Sequence, residues 1–308
     1  MATKINSVGI LYPDSTQSVS LNRFKRAIFG YGSTGSNVSM TNQVNMNGVV
    51  STDTSGVGTA RSALAAAGYG GDKAIFGYGI TSVNVSMTNL VSNLGVVSAD
   101  VTGVGTARRD LAAAGYGGDK AIFGYGSGDS SLTNLVSNIG VVSTDVTGVG
   151  TGRAELAAAG YGGDKAIFGY GNALFGVGRT NISNLVSNTG VVATDTTGVG
   201  TARSILAAAG YGGDKAIFGY GFNGSIAVSL TNIVSNIGVV ATDTAGVGTA
   251  RYKLSAAGYG GDKAIFGYGD TGGISNLTNL VSNLGIVSTD GTGVGTARIS
   301  LAAAGFGS

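Results

Sequence analysis

The chain of 308 residues has no cysteine, no histidine and no tryptophan, and only one proline. Without cysteine there is no disulfide framework, no thiolate zinc site and no sulfur nucleophile. Without histidine the commonest general base and the Ser-His-Asp triad are gone. Glu155 is the one glutamate, so a paired-carboxylate site would need aspartates from unrelated positions. Charge is scarce as well: 11% of residues, 18 Lys and Arg against 16 Asp and Glu, for a net charge of +2. That gives no bulk field to draw nucleic acid or an anionic membrane. No run of 18 apolar residues spans a bilayer, and residues 1–20 hold no signal-type apolar segment, so a soluble chain made in a cytoplasm is expected. The sequence points to no catalytic group, metal or cofactor.

What is abundant is glycine, 57 residues, beside 43% hydrophobic residues. Such a glycine content could mean low complexity. It is instead ordered by a repeat. The hexapeptide A-I-F-G-Y-G recurs with its phenylalanine at Phe29, Phe76, Phe123, Phe168, Phe218 and Phe266, in steps of 47, 47, 45, 50 and 48 residues. Periods of 40–50 suit the four-stranded blade of a propeller. In the second repeat, strand a is expected at 62–70, a tight turn at Gly71-Asp72, strand b at 73–79, strand c at 85–92 and strand d at 95–99. Alternation places Ala74, Phe76 and Tyr78 on a bulky face of strand b and Ile75, Gly77 and Gly79 on a bare one. The bulky face of one blade is expected to enter the bare face of the next. Strand a, with the smallest side chains, or strand b belongs near the crowded axis. The fold class expected is all-β: a six-bladed β-propeller of four-stranded antiparallel blades over 26–308. Its last strand, 299–307, joins the first blade and closes the ring. Residues 1–25 form an N-terminal arm or a degenerate outer strand.

An arginine ahead of a strand, a short hairpin, an apolar strand ending in Gly77-Tyr78-Gly79 and two outer strands resemble the Kelch-type β-propeller repeat across 27–308. Kelch repeats usually carry adjacent glycines and an outer-strand tryptophan; here the glycines flank a tyrosine and tryptophan is absent. Near-identical repeats with an uncharged Ser/Thr/Asn surface also resemble repeat propellers of tailed-phage and marine viral virions. That resemblance implies a non-catalytic structural or adhesion module on a capsid, tail or fibre. Its partners would be other virion proteins or a host-surface glycan or protein. The Kelch likeness implies an intracellular interaction scaffold as the alternative, and a lectin or lyase-type propeller is a third.

Two sets of residues are candidates for a site. The first recurs in every repeat: Arg61, Arg108, Arg153, Arg203, Arg251 and Arg298, each eight residues after an aspartate (Asp53, Asp100, Asp145, Asp195, Asp243 and Asp290). It reads either as cations around a channel mouth or as turn chemistry and ion pairing multiplied by duplication; the structural reading is favoured. The second set lies where the repeats differ. G-Y-G-G-D-K-A-I-F-G-Y-G is identical in five copies, whereas the b–c loops (33–38, 80–84, 127–130, 172–181, 222–227 and 270–275) are all different. Variable loops on a rigid scaffold are where binding concentrates. The candidates there are Ser33, Asn37, Thr81, Asn84, Ser127, Asp129, Leu174, Phe175, Arg179, Phe222, Asn223, Asp270 and Thr271.

Overall fold

Strand b forms where the repeat alternates small and large apolar residues. In the computed structural model, which describes residues 5–6, 9–10, 25–173 and 177–307, it runs Lys73–Gly77, between strand a at Ala65–Tyr69 and strand c at Thr88–Val91. The described residues hold six such three-stranded antiparallel sheets and no helix. Five sheets are each built from the a, b and c strands of one stretch of chain; in one of them the short hairpin Asn172–Ala173 with Gly178–Arg179 lies between b and c. In the sixth, Ala302–Phe306 from the end of the chain pairs with Arg26–Gly30, and Phe306 lies opposite Arg26. The 1–25 segment falls mostly outside the described residues; within it, Ile5–Asn6 pairs with Gly9–Ile10.

The expected fourth strand does not form. Segment 95–101 follows strand c only through the isolated bridges Val91↔Val97 and Thr88↔Val101. Side chains displace the ladder between them. Asn89 donates Nδ2 to the Ser98 carbonyl, and the Ser98 hydroxyl takes the Leu90 amide. Local side-chain bonding of this kind competes with regular pairing. The same asparagine-to-carbonyl bond recurs in the other five sheets.

The sheets pack as the alternation predicts, with one correction. A Cβ on Gly77 would stand 2.7 Å from the Phe123 ring, and Gly124 meets Phe168 in the same way. The series continues through Gly267, which receives Phe29. Bare glycine faces thus accept phenylalanines from the neighbouring sheet, all of them fully buried. Tyr78, however, does not share the face of Phe76. Its φ of 63° ends the strand and turns the ring to the Ile75 side. There it packs against Phe123 with the rings tilted at 57° and their centroids 5.1 Å apart.

Strands a pack against one another. Each lies against strand a of the next sheet, and a Cβ on Gly115 would lie 3.3 Å from the Gly68 carbonyl. They surround a cavity of about 220 Å³ at the a–b turn end and one of about 120 Å³ at the other end, the latter lined by Leu64, Ala65 and their equivalents.

Candidate functional site

The antiparallel register sorts the molecule into two ends. Val91 pairs with Ala74, so the c–d turns leave beside the a–b turns. The b–c loops leave at the opposite end, beside the Arg-x-x-Leu segments that precede strands a, where Ser62 bridges Ile80.

The six arginines are enclosed, at most 1% exposed, and present no ring of cations to solvent. Arg61 donates Nε to the Tyr78 carbonyl, one terminal nitrogen to the Thr59 carbonyl and the other to Asn89 Oδ1. Its guanidinium also lies over the Tyr31 ring of the preceding sheet at 4.4 Å. It does not meet Asp53, eight residues upstream. It faces Asp100 at 3.9 Å, and Arg298 faces Asp53 at 3.8 Å. Asp100 also accepts from the Thr59 amide and hydroxyl and from Asn89. Desolvation pushes each of the six carboxyls up, but the Thr and Asn hydrogen bonds and the arginine charge outweigh it and hold them below the usual value. Burial pushes Tyr31, Tyr78, Tyr125, Tyr220 and Tyr268 up to about 12 against the pull of the arginines. The guanidiniums of this network are directed inward, at structure; Arg298 Nε alone among the six is left without a partner.

Many of the polar loop candidates hold the loops themselves. Asn37 Nδ2 donates to the Ile80 and Thr81 carbonyls of the next loop. Asn84 donates to Ser127 Oγ, which also accepts the Arg109 amide. Ser33 Oγ accepts the Gly35 amide, and Thr81 and Thr271 hydroxyls donate to carbonyls two residues on. Asn223 Oδ1 caps the Ser225 and Ile226 amides, and Asp270 Oδ1 accepts the Gly272 amide. Asp129 sits at φ 49° in the shortest loop. Its carbonyl presses on Gly152, which replaces the alanine found before the other five arginines and could carry no Cβ there. Leu174 and Phe175 lie outside the described residues.

Arg179 and Phe222 do meet. The guanidinium stands 4.8 Å from the Phe222 ring centroid, and Phe222 in turn lies 5.6 Å from Tyr252 at 49°. Tyr252 belongs to a set that the loop comparison overlooked. Between each buried arginine and the following leucine lie two residues that differ in every repeat: Ser-Ala, Arg-Asp, Ala-Glu, Ser-Ile, Tyr-Lys and Ile-Ser. The variation was legible in the sequence; the joining of these residues across neighbouring sheets was not. The second residues, Ala63, Asp110, Glu155, Ile205, Lys253 and Ser300, all adopt φ of 52° to 59°. The Asp110 amide donates to Ala63, Glu155 to Asp110, Ile205 to Glu155, Lys253 to Ile205, Ser300 to Lys253 and Ala63 to Ser300, at 2.8–3.0 Å. The six bonds form one circuit. Left-handed backbone in non-glycine residues, Ile205 above all, is strained; the bond made by each residue offsets that cost.

Burial, then the neighbouring Glu155 charge, raises the Asp110 carboxyl above its ordinary value, against Arg109 and Lys253. At the opposite end the charges are uniform: Asp72 and Lys73 pair at 2.8 Å, and equivalent pairs stand at four further turns. Outside them the c–d turns expose aliphatic side chains such as Leu94, Ile139, Ile237 and Leu284, each about 70% exposed. No group of three potential metal-binding side chains occurs among the described residues. No family model matches the chain, and no curated protein matches it.

Proposed function

We propose that the chain is a non-catalytic recognition and structural module, a six-bladed propeller that presents its b–c loop face to a ligand. The observation that carries this reading is where the differences lie: both variable sets, the b–c loops and the Arg-x-x-Leu pairs, sit at one end of an otherwise repeated scaffold. The six equivalent sheets, the pairing of Ala302–Phe306 with Arg26–Gly30 and the six-bond backbone circuit support a closed ring. Each blade would then comprise three strands and the bridged segment 95–101 or its equivalent as an irregular fourth limb. The opposite end, ringed by exposed aliphatic side chains, suits attachment to a carrier. The likeness to virion propellers makes that carrier a phage particle and the ligand a bacterial surface component.

A uniform-face variant tests the reading: all six b–c loops and Arg-x-x-Leu pairs are replaced by those of the second repeat. Labelled parent protein should be retained on cells of a bacterial panel, and the uniform variant should lose retention at unchanged melting temperature. Equal retention of both overturns the reading. Mass spectrometry of purified phage particles tests the carrier.

A further inference from the structure

Three of the five bridges that join a b–c loop to an Arg-x-x-Leu segment contain no aromatic residue (Ser33 faces Ile299, Ser62 faces Ile80, Ala154 faces Asn172), and the other two contain one each, Phe222 facing Ser204 and Tyr252 facing Asp270. No ring is needed to build such a bridge. Yet three adjacent sheets contribute Arg179, Phe222 and Tyr252 in sequence, stacked guanidinium to ring to ring. Lys253 extends the row, its Nζ 5.5 Å from the Tyr252 ring. Both aromatics are partly exposed, whereas the other tyrosines and phenylalanines among the described residues are buried in the core. Among the described residues neither cation forms an ion pair within 4 Å, and Arg179 Nε, shielded from water, has no hydrogen-bond partner there. Asp270 closes the row, its backbone bridged to Tyr252.

Each part selects a feature of a ligand. Two partly exposed rings offer apolar area to a flat C–H face. Tilted at 49°, they make a bent shelf, not the parallel slot that sandwiches a planar base. The guanidinium matches a carboxylate. The Asp270 carboxylate accepts hydrogen bonds from hydroxyls. Hydroxyls, an apolar ring face and one carboxylate together describe an acidic pyranose. We propose that Arg179, Phe222, Tyr252, Lys253 and Asp270 form a binding subsite for an acidic sugar residue of a surface polysaccharide. This deepens the reading of the loop face as the ligand-binding face and rests on it.

The test is calorimetric titration with a glucuronate-containing tetrasaccharide, its neutral glucose counterpart and AMP. Phe222→Ser and Tyr252→Ser install residues that other repeats carry at these positions (Ser33, Ser127; Ser62, Ser204), so folding is preserved. Saturable binding of the acidic sugar is expected, weakened about tenfold by either substitution, a change worth about 1.4 kcal/mol. Arg179→Gln should remove the preference over the neutral sugar. No glucuronate binding, AMP binding more tightly, or variants binding like the parent would each overturn the subsite. If Phe222→Ser and Tyr252→Ser retain cell binding that the uniform-face variant loses, the subsite fails while the recognition face stands.

Discussion

The two ends of this molecule are built from the same strands and obey opposite rules. At the a–b turn end the five continuous hairpins carry the same Gly-Gly-Asp-Lys sequence and the same neutralising ion pair, beside c–d turns that expose aliphatic side chains. At the b–c end the loops differ in sequence in every repeat and vary in length, charge and side-chain size, while the backbone circuit beneath stays constant in φ and in hydrogen bonding. Variation is therefore tolerated where main-chain bonds hold the structure. It is absent where glycine and phenylalanine must interlock between sheets.

That contrast can be stressed from both sides. The largest effect should come from pH, because it acts on all six sheets together. The aspartates facing the arginines have lowered pKa values in the fold, so their stabilisation is present above the unfolded value near 3.9 and is lost as pH falls below it. The tyrosines raised to about 12 work in the other direction: their contribution is present below pH 10 and lost as pH rises towards 12. Urea midpoints across pH 2–12 should fall at both ends, and tyrosinate absorbance should lag until about 12. Midpoints that stay flat below pH 4 would show the carboxylates to be dispensable.

Single substitutions come next. Arg203→Met leaves Asn232 Oδ1 and the Tyr220 and Thr201 carbonyls without their donor; each buried acceptor left unpaired costs about 1–3 kcal/mol. Phe123→Ala should cost about 3–5 kcal/mol. Gly77→Ala drives a methyl into the Phe123 ring at 2.7 Å, and overpacking of this kind costs about 1–3 kcal/mol. The smallest effect belongs to the variable end. Exchanging loop 80–84 for the loop at 33–38 should move stability by less than about 0.5 kcal/mol. A larger loss there, measured by urea unfolding, would erase the distinction between the ends.

The sequence made some of this readable and hid the rest, for local reasons. Strands a, b and c follow from short-range alternation, and so does the insertion of Phe123 against Gly77. Tyr78 misled because one positive φ reverses the alternation, and its flanking glycines mark only a turn. Strand d misled because the composition of 95–99 suits a strand, whereas the competitor for its carbonyl, Asn89, lies nine residues from Ser98. The Asp–Arg spacing of eight was real but paired the wrong members, since Arg61 reaches forward to Asp100. The row from Arg179 to Tyr252 draws on three sheets, and no local pattern places those residues together.

The sheet made from both ends of the chain has a consequence for assembly fidelity. Five hairpins share an identical core sequence, so the first strand b has several nearly interchangeable suitors before the last residues are synthesised. The terminal pair is marked: Arg26 stands where the others have lysine, and it lies opposite Phe306 where the others have tyrosine. That pair works as an address. Exchanging the labels, with Arg26→Lys and Phe306→Tyr, should leave the finished fold intact while raising the yield of misthreaded and chain-swapped oligomers on refolding at high concentration.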